Sequence, residues 1–350
     1  MKRRRRRTGT LIFGLILASL AIGVGARMLV GPNELTLTPP APVPPVPAAP
    51  PTAPPAEPLE ARFLQPPPQE PSPPPAPEPQ ATAPQVNYSS LTPEQSDTLT
   101  ITVSGVAATG TVRGEFTSQA IPFLRIADGR WLGFVGIDAK ATAGAYPLSL
   151  ALPDGTTTRE TVRVKARDYP VTELAVTDEL RAKGYTPPVI AINVAAENAR
   201  LAAALTGSPP RAYFDGAFTN PLDRIVNVGE YGNIRVSGGV GLRHLGVDLE
   251  AETGTPVHTI NTGVVRFAEE LTNYGKTMVV DHGFGIFSLY LHLSEFLAAP
   301  GAGVARGAVI ARSGDTGYVL APHLHFSMRL GSASVDPLRF LAAATWAFEK

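Results

Sequence analysis

The 350-residue chain contains no cysteine. This excludes disulfide staples and thiolate metal sites together, so a transition metal here would have to be held by histidine and carboxylate. Net charge is missing too, since 30 basic residues balance 30 acidic ones. With no basic surplus there is no electrostatic footprint for nucleic acid, and no such partner is expected. Histidine is scarce, with six in all, and every one lies between His244 and His325. Long apolar runs are absent except for one near the start. There, Lys2 and Arg3 to Arg7 precede an apolar stretch from Leu11 to Ala26. Cytoplasmic positive charge ahead of an inserting segment is the positive-inside pattern. The stretch is short for a spanning helix but extends to Val30 when Arg27 snorkels. Val24-Gly25-Ala26 also carries small residues at the spacing of a signal-peptidase site. Residues 1–30 therefore read as an export segment, either retained as an inner-membrane anchor or cleaved to release a secreted protein. The remainder is expected in the cell envelope, in the periplasm or the wall.

Residues 31–96 read as a linker. From Pro39 to Pro84 proline, alanine and glutamate dominate, and no apolar periodicity exists from which to build a core. Proline favours extended polyproline II, so this stretch would reach on the order of 100 Å as a semi-rigid spacer. A tether is the favoured reading, and a ligand for a proline-binding module is the other. Over residues 97–168 the pattern changes to strands. Leu99-Thr100-Ile101-Thr102-Val103 and Thr161-Val162-Arg163-Val164 alternate apolar and polar, and Asp128-Gly129 and Pro153-Asp154-Gly155 mark turns. This predicts a small Ig-like β-sandwich with no catalytic constellation. Residues 169–213 predict a helical connector, with a helix over 189–205 ended by Gly207 and Pro209-Pro210. Its apolar set is Val189, Ile192, Val194, Ala195, Ala199, Leu201, Ala202 and Leu205. Residues 214–350 are glycine-rich and strand-like, as expected of an antiparallel sheet with tight hairpins, and end in a short helix over 337–349. The fold class expected is mainly β.

Two short patterns stand out: His244-Leu245-Gly246-Val247-Asp248 and Pro322-His323-Leu324-His325-Phe326. On an extended strand, side chains two or four apart share a side. His244 and Asp248 then face one way, as do His323 and His325, while Leu245, Val247, Leu324 and Phe326 face a core. A helix would splay His323 and His325 by about 200 degrees. A His/His/Asp set plus water is the composition of a catalytic zinc site. Such a site also needs a proton acceptor and a group that stabilises an oxyanion. His292, in Tyr290-Leu291-His292-Leu293, and His323 are available for this. His258 and His282, each near a turn, read as structural histidines.

From residue 231 to 337 the chain resembles the lysostaphin/LytM-type zinc metallopeptidases. The resemblance runs through His244-Leu245-Gly246-Val247-Asp248, Gly254-Thr255-Pro256-Val257, Gly263-Val264-Val265 and Tyr274-Gly275. It continues through Asp281-His282-Gly283, Tyr290-Leu291-His292-Leu293, Gly303-Val304-Ala305-Arg306-Gly307, Gly314-Asp315-Thr316-Gly317 and Pro322-His323-Leu324-His325-Phe326. It implies a small antiparallel β fold with a groove, and Zn2+ held by His244, Asp248 and His325. It further implies that His292 and His323 assist catalysis, and that the substrate is a stem peptide or cross-bridge of peptidoglycan. Two positions depart from the pattern. His258 stands where a small residue is usual, and Tyr318-Val319-Leu320-Ala321 is more apolar than the usual Ser/Gly-rich loop, which bears on substrate preference.

The leading expectation is a zinc metalloendopeptidase that remodels peptidoglycan, in contact with the membrane if the N-terminal segment is kept. Divisome or other envelope proteins are candidate partners. The alternative is a non-enzymatic envelope regulator that binds and activates other wall hydrolases. A peptidase acting on proteins is a third reading.

Overall fold

The computed structural model describes residues 83–107, 109–173, 176–237 and 240–349, all within one compact unit that runs from Pro74 to Lys350. The expected export segment and most of the expected linker lie outside the described residues. No helix among those described is long and apolar enough to cross a membrane.

The first strand, β1 (Gln85–Tyr88), falls inside the stretch expected to be linker. It is too short to show periodicity and is recruited by pairing with β2 (Thr98–Ser104). Then come β3 (Arg113–Phe116), β4 (Gln119–Ile121), β5 (Phe123–Arg125), β6 (Trp131–Gly136), β7 (Gly144–Ala151) and β8 (Thr157–Val164). They form two four-stranded sheets, β1-β2-β6-β5 and β4-β3-β7-β8. Leu99, Ile101 and Val103 of β2 meet Leu148 and Leu150 of β7 and Val162 and Val164 of β8 in one core between the sheets. The alternation read from the sequence is thus the alternation of a sandwich.

The connector is more than a spacer. Its strand β9 (Val171–Glu173) pairs in parallel with a strand far ahead in the chain. Helix α1 (Asp178–Ala182) is capped by Thr177, whose hydroxyl accepts from the Leu180 N–H. Helix α2 (Pro187–Ala204) starts on two prolines, which suit a first turn that needs no N–H partners. Alanine sustains it. The cap is Leu205, with Gly207 two residues beyond it in the left-handed region (φ 66°). The helix buries Ile190, Glu197 and Leu201, whereas Ile192, expected on the apolar face, is 68% exposed.

The large sheet is built from β10 (Asn227–Gly229), β13 (Val247–Glu250), β14 (Pro256–His258), β15 (Gly263–Leu271), β16 (Gly275–Asp281), β17 (Ile286–Phe296), β18 (Gly303–Val304), β19 (Val309–Ser313), β20 (His323–Leu330) and β21 (Ala333–Val335). Its main order is β10-β13-β20-β17-β16-β15-β18, with β19 joining β14 to β17 and β21 on β20. A hairpin of β11 (Ile234–Ser237) and β12 (Val240–Arg243) stands beside it, and β9 pairs with β11. The C-terminal helix is α3 (Pro337–Glu349).

One face of the large sheet packs Val247, Leu249, Tyr290, Leu324, Phe326 and Met328 into the main core with Phe340 of α3. The other face carries Phe287, Leu289 and Leu291 of β17, covered by Leu201 and Leu205 at the end of α2. In the register, Leu291 lies opposite His325, and His325 lies opposite Asp248. Directly paired residues share a face. The polar residues of β13 and β20 therefore occupy the part of that face that α2 leaves uncovered.

Candidate metal centre

The strand period places Asp248 on β13 beside His325 on β20, with Val247, Leu249, Leu324 and Phe326 turned into the core. His244 arrives differently from the expectation of one continuous strand. It lies just after β12, and a bend at Gly246 separates it from β13. A Cβ on Gly246 would sit 2.4 Å from both His325 Nε2 and Ser327 Oγ, so only glycine lets the chain pass. His244 Nε2, Asp248 Oδ1 and His325 Nδ1 end up within 4.8 Å of one another, in a group able to hold a metal ion.

The hydrogen-bond partners assign the ring protons. His244 Nδ1 lies 2.9 Å from the Glu230 carbonyl, so it donates there and leaves the Nε2 lone pair facing inward. Ser327 Oγ donates to the Leu245 carbonyl at 2.8 Å, and therefore accepts from His325 Nε2 at 2.9 Å, leaving the Nδ1 lone pair inward. His244 Nε2, His325 Nδ1 and Asp248 Oδ1 nevertheless approach one another at 2.8 to 2.9 Å. Three lone pairs facing one point, with both ring protons committed outward, is a set that a bound cation satisfies, and outer partners of this kind fix the tautomer of metal-binding histidines. Asp248 Oδ2 accepts from Arg235 of β11 at 2.5 Å.

Two further histidines complete the group. His323 donates from Nδ1 to the Ala321 carbonyl at 2.8 Å, and its Nε2 lies 3.5 Å from Asp248 Oδ1. His292 donates from Nδ1 to the Thr316 carbonyl at 2.9 Å, with its ring centroid 5.0 Å from that of His323 and 6.0 Å from that of His325. His292 has φ 61° and sits where β17 slips register against β16. A bulky residue in the left-handed region at a bulge is strained, and such strain concentrates at functional sites. The slip transfers β17 from β20, its partner up to Leu291, to β19, its partner from Leu293.

Burial opposes ionisation of Asp248, and the Arg235 guanidinium on its outer oxygen favours the charged form. Burial pushes His325 down to about 4 against the pull of Asp248, and burial with His323 and His325 nearby pushes His292 down to about 3. Both rings are therefore neutral at pH 7, as a ligand or proton acceptor must be.

His244, Asp248, His292, His323 and His325 are thus brought together, and His258 and His282 lie elsewhere. His258 meets the Gly307 carbonyl, and the fully buried His282 is held by the Thr262 carbonyl and Ser288 Oγ. Sequence reasoning missed Arg235, Ser327 and the carbonyls of Glu230 and Thr316. Ser327 was findable, since it lies two residues beyond His325 on the same strand face. Arg235 lies on a separate hairpin and left no local signal.

Residues 242–337 match the model of Peptidase family M23. The chain is 39% identical over 95 residues to the DD-carboxypeptidase/endopeptidase Mpg of Neisseria meningitidis. It is 38% identical over 96 residues to the peptidoglycan DD-endopeptidase ShyA of Vibrio cholerae. Each match covers 27% of this chain and 22% of the relative's length, so the likeness is to one region of each. Among solved structures, the catalytic domain of lysostaphin from Staphylococcus simulans is 32% identical, with 34% of this chain and 92% of that chain covered and a TM-score of 0.31. The region that carries the histidine cluster, residues 242–337, is thus a peptidase family M23 domain.

Proposed function

We propose that this chain is a zinc-dependent endopeptidase that hydrolyses peptide bonds of peptidoglycan stem peptides or cross-bridges in the cell envelope. The observation that carries the reading is the convergence of His244 Nε2, His325 Nδ1 and Asp248 Oδ1 with both ring protons bound outward. Two imidazoles and one carboxylate suit zinc over magnesium or calcium, which prefer all-oxygen sites. Three protein ligands are the number in a catalytic site, whereas structural sites close with four. When bound, zinc supplies Lewis-acid polarisation of the scissile carbonyl and acidification of a water.

The chain's own groups supply the rest. His292 is neutral with Nε2 free on the site side, so it takes a proton there while its Nδ1–H stays on Thr316. His323, on the same strand as His325 and with its Nδ1–H on the Ala321 carbonyl, presents its Nε2 to the site, and the proton drawn from the water passes by way of these two rings to the leaving amine. Arg235 neutralises the outer oxygen of Asp248 and keeps that carboxylate from swinging. Peptidoglycan as the substrate is supported by ShyA, whose name gives peptidoglycan as its target, and by the export segment and tether read in the sequence.

The test is dye release from labelled sacculi by the full chain. Release stops with a chelator, returns on adding zinc, and is lost in His325→Ala. Release that persists in the chelated protein would sink the metal-dependent reading.

A further inference from the structure

We propose that Glu197, on α2, is a positioning residue for His292, acting through the turn at residues 272–275. This rests on the reading of His292 as a catalytic group.

Glu197 is 5% exposed, although Asn198 and Arg200, beside it in the sequence of α2, are exposed. Its carboxylate accepts from the backbone N–H of Asn273 at 2.8 Å and of Tyr274 at 3.2 Å. The grip is reciprocal, because Asn273 Nδ2 donates to the Ile190 carbonyl of α2 at 2.7 Å and Tyr274 donates from its hydroxyl to Asn198 Oδ1 at 3.0 Å. Burial pushes the Glu197 carboxyl up while those N–H groups pull it back, the balance expected of a carboxylate desolvated in exchange for backbone donors.

The gripped turn holds both attachments of His292. The Tyr274 carbonyl accepts from the His292 backbone N–H at 3.1 Å. The Asn273 carbonyl accepts from the Tyr318 N–H at 2.8 Å, and Thr316 Oγ1 accepts from the Lys276 N–H at 2.9 Å. The turn therefore fixes the 316–318 segment, whose Thr316 carbonyl receives the His292 Nδ1 proton. The two segments approach so closely that a Cβ on Gly275 (φ 60°) would lie 2.3 Å from the Thr316 carbonyl oxygen. His292 is itself strained, so its conformation persists only while the surroundings over-determine it. A helix before the peptidase sheet thereby acts on the catalytic geometry.

The test uses the full chain with Glu197→Ala, Glu197→Gln and, as a control, Arg200→Ala, which breaks an exposed α2 ion pair to Glu269 without touching the turn. Histidine side-chain nitrogen–proton NMR reads His292 and His282, and turnover on labelled sacculi reads catalysis. In E197A the His292 ring resonances shift and its Nδ1 proton exchanges faster, while those of His282 stay. Turnover falls tenfold or more at saturating substrate with KM and zinc stoichiometry unchanged, since small misplacements of a catalytic group are costly. E197Q, which keeps one acceptor oxygen, falls between, and R200A matches wild type. An unshifted His292 with wild-type turnover in E197A overturns the inference, as does a His282 that moves as much as His292. Should E197A fail to fold, E197Q is judged by the same criteria. A wild-type chain that hydrolyses nothing defeats the functional reading, and the NMR comparison still decides the positioning.

Discussion

Ser327→Ala probes the metal centre without touching a ligand. In the native chain the Ser327 hydroxyl relays His325 Nε2–H to the Leu245 carbonyl, with both distances under 3 Å. Removing the oxygen leaves the buried N–H without a partner, which costs about 1–3 kcal/mol. It also removes the reason for the proton to sit on Nε2, so the Nδ1 tautomer, blocked for metal binding, gains population. At about 1.4 kcal/mol per tenfold, the loss corresponds to roughly 10- to 100-fold weaker zinc binding, the range typical of outer partners of metal-bound histidines. Ser327 is small and buried, so Ala fits its space and the fold persists. The assay is competition with a chromophoric chelator, with circular dichroism as a control on folding. A folded S327A chain with wild-type zinc affinity would refute the tautomer argument.

Further outcomes follow from the same geometry. Gly246→Ala places a methyl 2.4 Å from His325 Nε2, so metal content measured by atomic emission should fall by at least tenfold in protein that still folds. His292→Asn, which accepts the left-handed backbone, should keep zinc at wild-type stoichiometry while hydrolysis drops by about 100-fold or more. The metal-free chain should lose stability on acidification. His282, His292 and His325 all have folded pKa values below the unfolded 6.5, so the unfolded state binds more protons, and stability present above pH 6.5 declines as pH falls toward 4. For His282, at about 4, this amounts to about 2 kcal/mol at pH 5. Urea melts at pH 7 and pH 5 read it, and equal or greater stability at pH 5 would contradict the burial argument.

What was legible in the sequence is what depends on short-range periodicity. Alternation in Leu99 to Val103 and Thr161 to Val164 is a local property, and the sandwich follows from it. His323 and His325 share a face because a strand has period two, and that holds in β20. His244 and Asp248 meet for another reason, a bend at Gly246, so the right neighbours came from an incomplete geometric premise. The bulge that strains His292 is a register slip between strands and has no signature in one strand's own residues. The role of α2 was hidden for a different reason. Its alanine-rich surface gives little contrast between faces, and the buried polar residue that matters, Glu197, reads as solvent-facing by type. Arg235 and β9 were out of reach because each acts through a pairing with distant chain.

The most direct measurement of the central claim is mass spectrometry of muropeptides after digestion of purified peptidoglycan with the zinc-loaded full chain, beside Asp248→Ala. The account predicts cross-linked muropeptides converted to smaller species by addition of one water across a peptide bond, with a new free amine, and none in the variant. A zinc-loaded chain that leaves the muropeptides of every peptidoglycan type intact, or an Asp248→Ala chain that cuts as well as wild type, would contradict it.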